Sequence, residues 1–409
     1  MTPDNPVAVY RYDGHMVLLN SKALALAGIT AQTPEPPGGV IVRDATGEPT
    51  GMLKDAAIAL ADRVIPAPTH SERRQAIERA LREAAALGVT SVQDMANPPL
   101  DDGDLAVLSE LLEEGKLTAR VYVAPLITGV DDQAKLGIRR AFGGPSLRIG
   151  ALKGYADGSL GSSTAYFYEP FVGQPGNRGL LSDTMQPLSR TRAYLARADA
   201  AGLQVCIHAI GDAAISTVLD LYAEVENADG PRDRRWRVEH AQHMAAKDFE
   251  RFAKLNVVAS VQPFHAIDDG RWAESRIGHD RASRTYAFRS FRDHGVRLAF
   301  GTDWPVAPLN PLLTLYAATT RATLDGRNPG GWFPEQKLTI EEAIESYTLG
   351  SAYAEFQEHD KGTITPGKLA DFVLLSEDVL HLPPAELRRV RVLRTWVGGV
   401  EVYSAPAQH

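Results

Sequence analysis

Four apolar runs in this chain end in residues that can bind a metal or move a proton. Leu147-Arg-Ile-Gly-Ala-Leu-Lys153 closes on a lysine. Val205-Cys-Ile-His208 and Arg237-Val-Glu-His240 close on histidines, and Leu298-Ala-Phe-Gly-Thr-Asp303 closes on an aspartate. Each has the look of a strand whose last residues face a site. Histidine nitrogen and carboxylate oxygen are the donors of zinc-type hydrolytic centres, which keep one position open. Such a centre lowers the pKa of a water from about 15.7 to about 7, and a nearby carboxylate then moves protons. His208, His240 and Asp303 supply these residue types from three separate runs. Lys153 is the unusual member, because lysine is rarely buried without a partner. Carbamylation would turn its ammonium into a carboxylate able to bridge two cations. An unmodified Lys153 would instead polarise a substrate oxygen or pair with Asp303.

The elements that must position these residues follow a regular rhythm from residue 70 onward. Helical apolar spacing over 71–87, 102–114, 188–201, 213–226, 245–254 and 287–294 alternates with strand-like runs. The strands are expected over 89–94, 120–125, 147–153, 203–208, 236–240, 257–262 and 296–303. Seven strand–helix alternations imply a parallel sheet with helical crossovers. Asp94, Lys153, His208, His240, Gln262 and Asp303 all fall at C-terminal strand ends. A doubly wound sheet also binds ligands there, but only a barrel gathers residues from so many strands at one point. The expected fold is therefore a (β/α)8 TIM-type barrel over residues 1–356. Residues 7–12 read as a strand and 21–27 as a short helix capped by Asn20-Ser21. Residues 34–55 read as a hairpin excursion. The last stretch, 357–409, reads as a small β-rich part. The loops 154–187 and 263–283 are expected to choose the substrate.

Composition narrows the function class. The 409 residues are 44% hydrophobic and 23% charged, with a net charge of −8. That suits a globular protein with a sizeable core, and the acidic balance argues against nucleic acid or anionic membrane surfaces as partners. No apolar run approaches the roughly 20 residues that span a bilayer. The N-terminal stretch has neither the basic residues nor the apolar segment of a secretory signal. The single cysteine, Cys206, leaves no intramolecular disulfide and no cysteine-cluster metal site, so a cytoplasmic home is expected. Cys206 itself reads as a small core filler.

Several longer motifs carry a resemblance. Ala151-Leu-Lys-Gly-Tyr-Ala-Asp-Gly-Ser-Leu-Gly-Ser162, Ile207-His-Ala-Ile-Gly-Asp212, Arg237-Val-Glu-His-Ala-Gln242 and Gly301-Thr-Asp-Trp-Pro-Val306 resemble the amidohydrolase superfamily. Within it they resemble the branch containing N-substituted formamide deformylase. Asp13-Gly-His15 with Asn20-Ser21, and Gly362-Thr-Ile-Thr-Pro-Gly-Lys-Leu-Ala-Asp371, resemble the same branch. The resemblance covers essentially the whole chain. It implies a metal-dependent hydrolase of C–N bonds in non-peptide amides or formamides, built as a barrel with a small β-sandwich. It also implies Lys153, His208, His240 and Asp303 as ligands of one or two divalent ions, Zn2+ first among them, with Asp303 shuttling the proton.

One departure stands out. Relatives open the barrel with a strand ending in His-x-His, and no His-x-His occurs in this sequence. The barrel is accordingly expected to lack its first strand, and the sandwich to keep only a C-terminal remnant over 357–409. Truncation of the gene product is the favoured explanation. A second polypeptide supplying the rest, or residues 7–12 sliding into the first position with Asp13 and His15 as substitutes, are the alternatives. A catalytically impaired fragment or binding subunit is thus the rival to an active hydrolase.

His15, Asp157, His265 and Trp304 are the candidate substrate contacts. Asp157 has the plainer alternative of capping the Gly-rich turn, and His265 that of a loop residue. His243 reads as loop structure. His70, His279, His294, His359, His381 and His409 read as surface or turn residues. The expected partner is a small-molecule amide, and a homo-oligomer is compatible with the composition.

Overall fold

The computed structural model describes residues 2, 4–95 and 104–406. His409 and the first residues of the helix expected from 102 lie outside that range. Seven strand positions run parallel, each beside the next in chain order. They are Ser91–Met95, Arg120–Ala124, Leu147–Ile149 continued by Ala151–Tyr155, Gln204–Ala209, Arg237–His240, Val258–Val261 and Leu298–Phe300. The third position is bent at Gly150, whose φ of 118° and close approach to Arg139 exclude a side chain; a Cβ would lie 2.1 Å from the Arg139 carbonyl oxygen. Lys153 N donates to Pro125 O at 2.7 Å and joins the third position to the second beyond the bend. Helices such as Leu188–Ala201, stopped by Gly202 in left-handed conformation, and Asp212–Asp229 return the chain to the start of the next strand. The helix His70–Ala86 is capped by Thr69 with Glu72, not by Ser71.

Both faces of the middle strands are buried, and one large apolar cluster runs from Ile127 to Val390 around them. The array curls, so that Arg237 on the fifth strand hydrogen-bonds Gln93 on the first. Among the described residues, Ser91–Met95 and Leu298–Phe300 do not pair with each other. Seven strand positions are present, as counted from the sequence, and strand pairing does not close them into a barrel.

The N-terminal part is larger than the expected hairpin. Ala8–Tyr10, Met16–Leu19, Pro49–Asp55 and Gly39–Arg43 form a four-stranded antiparallel sheet in that order. It has its own core around Val17, Leu19, Ile41 and Leu53. The C-terminal part is one three-stranded antiparallel sheet, Phe372–Leu375, Val392–Val397 and Val400–Ser404. Among the described residues its three strands pair with no other sheet, so the expected sandwich remnant is a single sheet. It docks on the helix His70–Ala86 through a hydrogen bond from Thr395 Oγ1 to Ala85 O (2.7 Å), and an Arg120–Asp371 ion pair at 2.5 Å ties the segment leading into it to the second strand position. No helix among the described residues is long and apolar enough to cross a membrane.

Candidate active site

The C-terminal strand ends open into one cavity of about 1060 Å³. Strand alternation places Arg237 and Glu239 on its interior side and would turn His240 away. His240 instead adopts φ 71° and Asp303 φ 60°, left-handed backbone that is uncommon outside glycine. Both side chains thereby reach the cavity wall. Such strained positions concentrate at functional sites.

His240, His265 and Asp303 converge, each offering one ligand atom within 4.8 Å of the others. His265 comes from the helix Pro263–Asp269, within a stretch expected to be loop; Ala273–Ile277 and His279–Ala282 are helical too. Its Nε2 lies 3.9 Å from Asp303 Oδ2, is buried, and has no hydrogen-bond partner. An orphaned buried nitrogen facing a carboxylate is costly unless a cation or a water sits between them. The His240 ring is held from behind, Nδ1 lying 2.9 Å from Gln262 Oε1, which leaves Nε2 as its free donor. Burial, then the neighbouring His208 and Lys153, push His240 well below its ordinary pKa. It therefore stays neutral, as a ligand must. Burial raises the Asp303 carboxyl, with His265 and Lys153 pulling the other way. The Asp303 side chain is 37% exposed and lines the cavity.

Lys153 and His208, expected as ligands, stand next to this trio. Lys153 is buried, and burial drives its ammonium below its ordinary pKa while Glu239 and Asp303 pull it back up. Its Nζ lies 4.7 Å from the centre of the Tyr155 ring. The His208 ring is 4.6 Å from that of His240, and its Nε2 is 3.2 Å from Gly158 O. Burial, then His15 and Lys153, keep His208 well below its ordinary pKa.

The candidate substrate contacts divide. His15 lines the cavity from the N-terminal sheet, its ring 5.1 Å from that of His208. Trp304 lines the cavity and is 46% exposed. His265 lines it too, but in the company of metal donors. Asp157 does not. Its oxygens accept from the amides of Ile210 (3.0 Å), Gly211 (2.8 Å) and Tyr166 (2.8 Å), and it is buried. These bonds come from residues outside the Gly-rich turn, so Asp157 pins the segments around Tyr166 and Ile210–Gly211 to the end of its own strand and does not cap the turn through them. Burial pushes its carboxyl up to about 7, with the three amides pulling the other way.

Sequence reasoning passed over the Arg237–Glu239 ion pair, Nε to Oε1 2.7 Å, formed along one strand by two residues that line the cavity. Two charges at i and i+2 in an otherwise apolar strand were the available signal. It also passed over Asp269, a part-buried carboxylate pushed up to about 6 by desolvation and bonded by Tyr286 Oη at 2.6 Å, and Asp55, which lies 2.6 Å from His15.

The family model described as the amidohydrolase family matches residues 1–403. The chain belongs to that family. It is 38% identical to Protein LONG AFTER FAR-RED 3 of Arabidopsis thaliana, over 98% of this chain and 70% of that one. It is 28% identical to N-substituted formamide deformylase of Arthrobacter pascens, over 98% of this chain and 74% of that one. Its structure superimposes on an uncharacterized metal-dependent hydrolase from Pyrococcus horikoshii with a TM-score of 0.76 and 32% identity, over 93% of this chain and 74% of that one. The matches run along nearly the whole of this chain, which spans about 70–74% of the length of these relatives.

Proposed function

We propose that the protein is a metal-dependent hydrolase that cleaves the C–N bond of a small non-peptide amide, with N-substituted formamides as the first class to test. The observation that carries this reading is the convergence of His240, His265 and Asp303 around the unpartnered Nε2 of His265. Two nitrogens and one oxygen suit Zn2+ with an open position. Lys153, carbamylated or not, and His208 stand as further donors. The curled parallel array is read as a TIM-type barrel framework.

A divalent cation in this site would supply Lewis acidity toward a carbonyl oxygen and toward water. The chain's own residues do the rest. Asp303 takes a proton as water adds to the carbonyl carbon and delivers it to the leaving nitrogen as the C–N bond breaks. Gln262 keeps the His240 ring in its ligand orientation. The Trp304 indole, at the cavity rim, covers the apolar part of the substrate. A buried Cys206, its thiol pushed up to about 12 by burial, is inert and fits a cytoplasmic protein.

The test is release of formate and amine from a panel of N-alkyl and N-aryl formamides and acetamides. Turnover that chelation abolishes and Zn2+ restores is expected. A metal-loaded protein that hydrolyses none of them overturns the reading.

A further inference from the structure

The turn between Ala8–Tyr10 and Met16–Leu19 carries His15 into the cavity, and the end of Pro49–Asp55 sets Asp55 against it. His15 Nδ1 lies 2.6 Å from Asp55 Oδ1, with side-chain exposures of 14% and 10%. The backbone holds the pair as well: Asp55 N donates to His15 O at 3.2 Å. Asp55 has φ 47° and ψ −127°, a strained conformation for a residue with a side chain. Its Oδ2 is buried and unpartnered. Gly158 leaves room for this carboxylate, since a Cβ there would lie 2.6 Å from Asp55 Oδ1.

The sheet that carries the pair is clamped to the Gly-rich loop after Lys153. Ser159 Oγ donates to Asp13 Oδ2 at 2.8 Å, and Lys54 Nζ donates to Ser162 O at 2.7 Å. The His15, His208 and His240 rings then follow one another at centroid spacings of 5.1 and 4.6 Å, from the N-terminal sheet to the metal donors. Asp55 occupies Nδ1, so Nε2 is the atom His15 presents to the cavity. Taken as a neutral unit, the pair holds one proton between Nδ1 and Oδ1 and one on Nε2. A histidine oriented by a carboxylate is the arrangement by which a ring nitrogen is aimed at a reacting group.

We propose that His15 is a catalytic residue of the hydrolase read above, its Nε2–H donating to the carbonyl oxygen of the bound amide, and that Asp55 is its positioning residue. The proposal rests on the hydrolase reading. It makes the N-terminal sheet part of the active centre. A donor aimed at the oxygen that gains charge favours the transition state over the ground state.

The experiment compares wild type, His15→Ala, His15→Gln and Asp55→Asn, each loaded with Zn2+, for metal content, thermal melting, kcat and KM on the formamide that wild type turns over. His15→Ala is expected to lose about 100–1000-fold in kcat, with metal content and KM near wild type. Added imidazole, or the amide of His15→Gln, restores part of it. Asp55→Asn is expected to lose about 10–100-fold in kcat with metal retained. Wild-type kcat in both His15→Ala and Asp55→Asn overturns the proposal alone. So does a loss that follows metal content or melting temperature and that imidazole does not rescue. A metal-loaded wild type inactive on every amide overturns the hydrolase reading and this proposal together.

Discussion

His240 and Asp303 end two parallel strands that are not neighbours, and both leave them through left-handed backbone, at φ 71° and 60°. Val258–Val261 runs between those strands. Without the two local reversals, the donors would stay on the pleat and point to whichever face the alternation dictates. With them, both meet His265 from a third element. The strain is affordable because the strands that carry it are locked in a buried parallel array.

Removing either imidazole should empty the site. His240→Ala and His265→Ala are each expected to weaken Zn2+ binding by more than the roughly 10–100-fold that loss of a supporting residue costs. Gln262→Ala, which frees the His240 ring but keeps every donor, is expected within that range. Competition titration against a chromophoric chelator measures all three. Wild-type affinity in His265→Ala would assign that residue to the substrate side, as its sequence context suggested.

Asp303 is asked to do two things, to bind the cation and to carry the proton. Asp303→Asn keeps an oxygen donor but cannot take up a proton. A loss of about 100–10,000-fold in kcat is expected, larger than any change in KM. Steady-state kinetics on the metal-loaded variant decides it, and a rise in KM with kcat intact would count against the assignment.

The histidines set a pH window. His208 and His240 sit well below the ordinary value of 6.5 because they are buried beside positive neighbours. In the folded chain they stay unprotonated at mildly acidic pH, whereas the unfolded chain binds protons there. The contribution of these two histidines to the stability of the metal-free protein is therefore complete above about 6.5 and falls as pH drops below it, toward the depressed folded values, while Asp157 and Asp269, raised by burial, act with the opposite sign in the same window. Thermal melting of the metal-free wild type and of a His208→Gln, His240→Gln variant, compared between pH 8 and pH 5, roughly the window in which a free histidine titrates, isolates the histidine contribution. A wild-type melting temperature that gains on the variant on acidification would contradict the sign.

Glu239 and Arg237 form a buried pair, with side chains 5% and 3% exposed. Arg237 also donates to Ser260 Oγ at 2.9 Å. Glu239→Ala strands the guanidinium in the interior and is expected to cost about 3–5 kcal/mol. Urea denaturation measures it, and a change within experimental error would mean that water reaches the pair.

Much of the parallel array could be read from the chain because its signals are local. Helix Leu188–Ala201 has the bounds its apolar spacing and closing glycine imply, and the four candidate residues cluster near strand ends: Lys153 and His208 lie inside their strands, within two residues of the end, His240 closes its strand, and Asp303 lies just beyond its own. What escaped was not local. The four-stranded N-terminal sheet depends on Met16–Leu19 pairing with Pro49–Asp55 across more than a helix, and no periodicity encodes that partner. His265 was legible only as a loop histidine, since three short helices of four to seven residues leave little periodic trace. Asp157 has a sequence neighbourhood rich in glycine and serine, which suits a substrate loop and a capped turn equally. Only the three amides that reach it show that it pins other segments instead.

The most direct measurement is metal analysis of the purified protein, followed by chelation and reconstitution with amide turnover recorded at each stage. About one equivalent of a divalent transition metal per chain is expected, lost together with activity on chelation and regained together with it on adding Zn2+. Protein that holds no metal after incubation with Zn2+, and hydrolyses no amide, would contradict the assignment of His240, His265 and Asp303 to a hydrolytic centre.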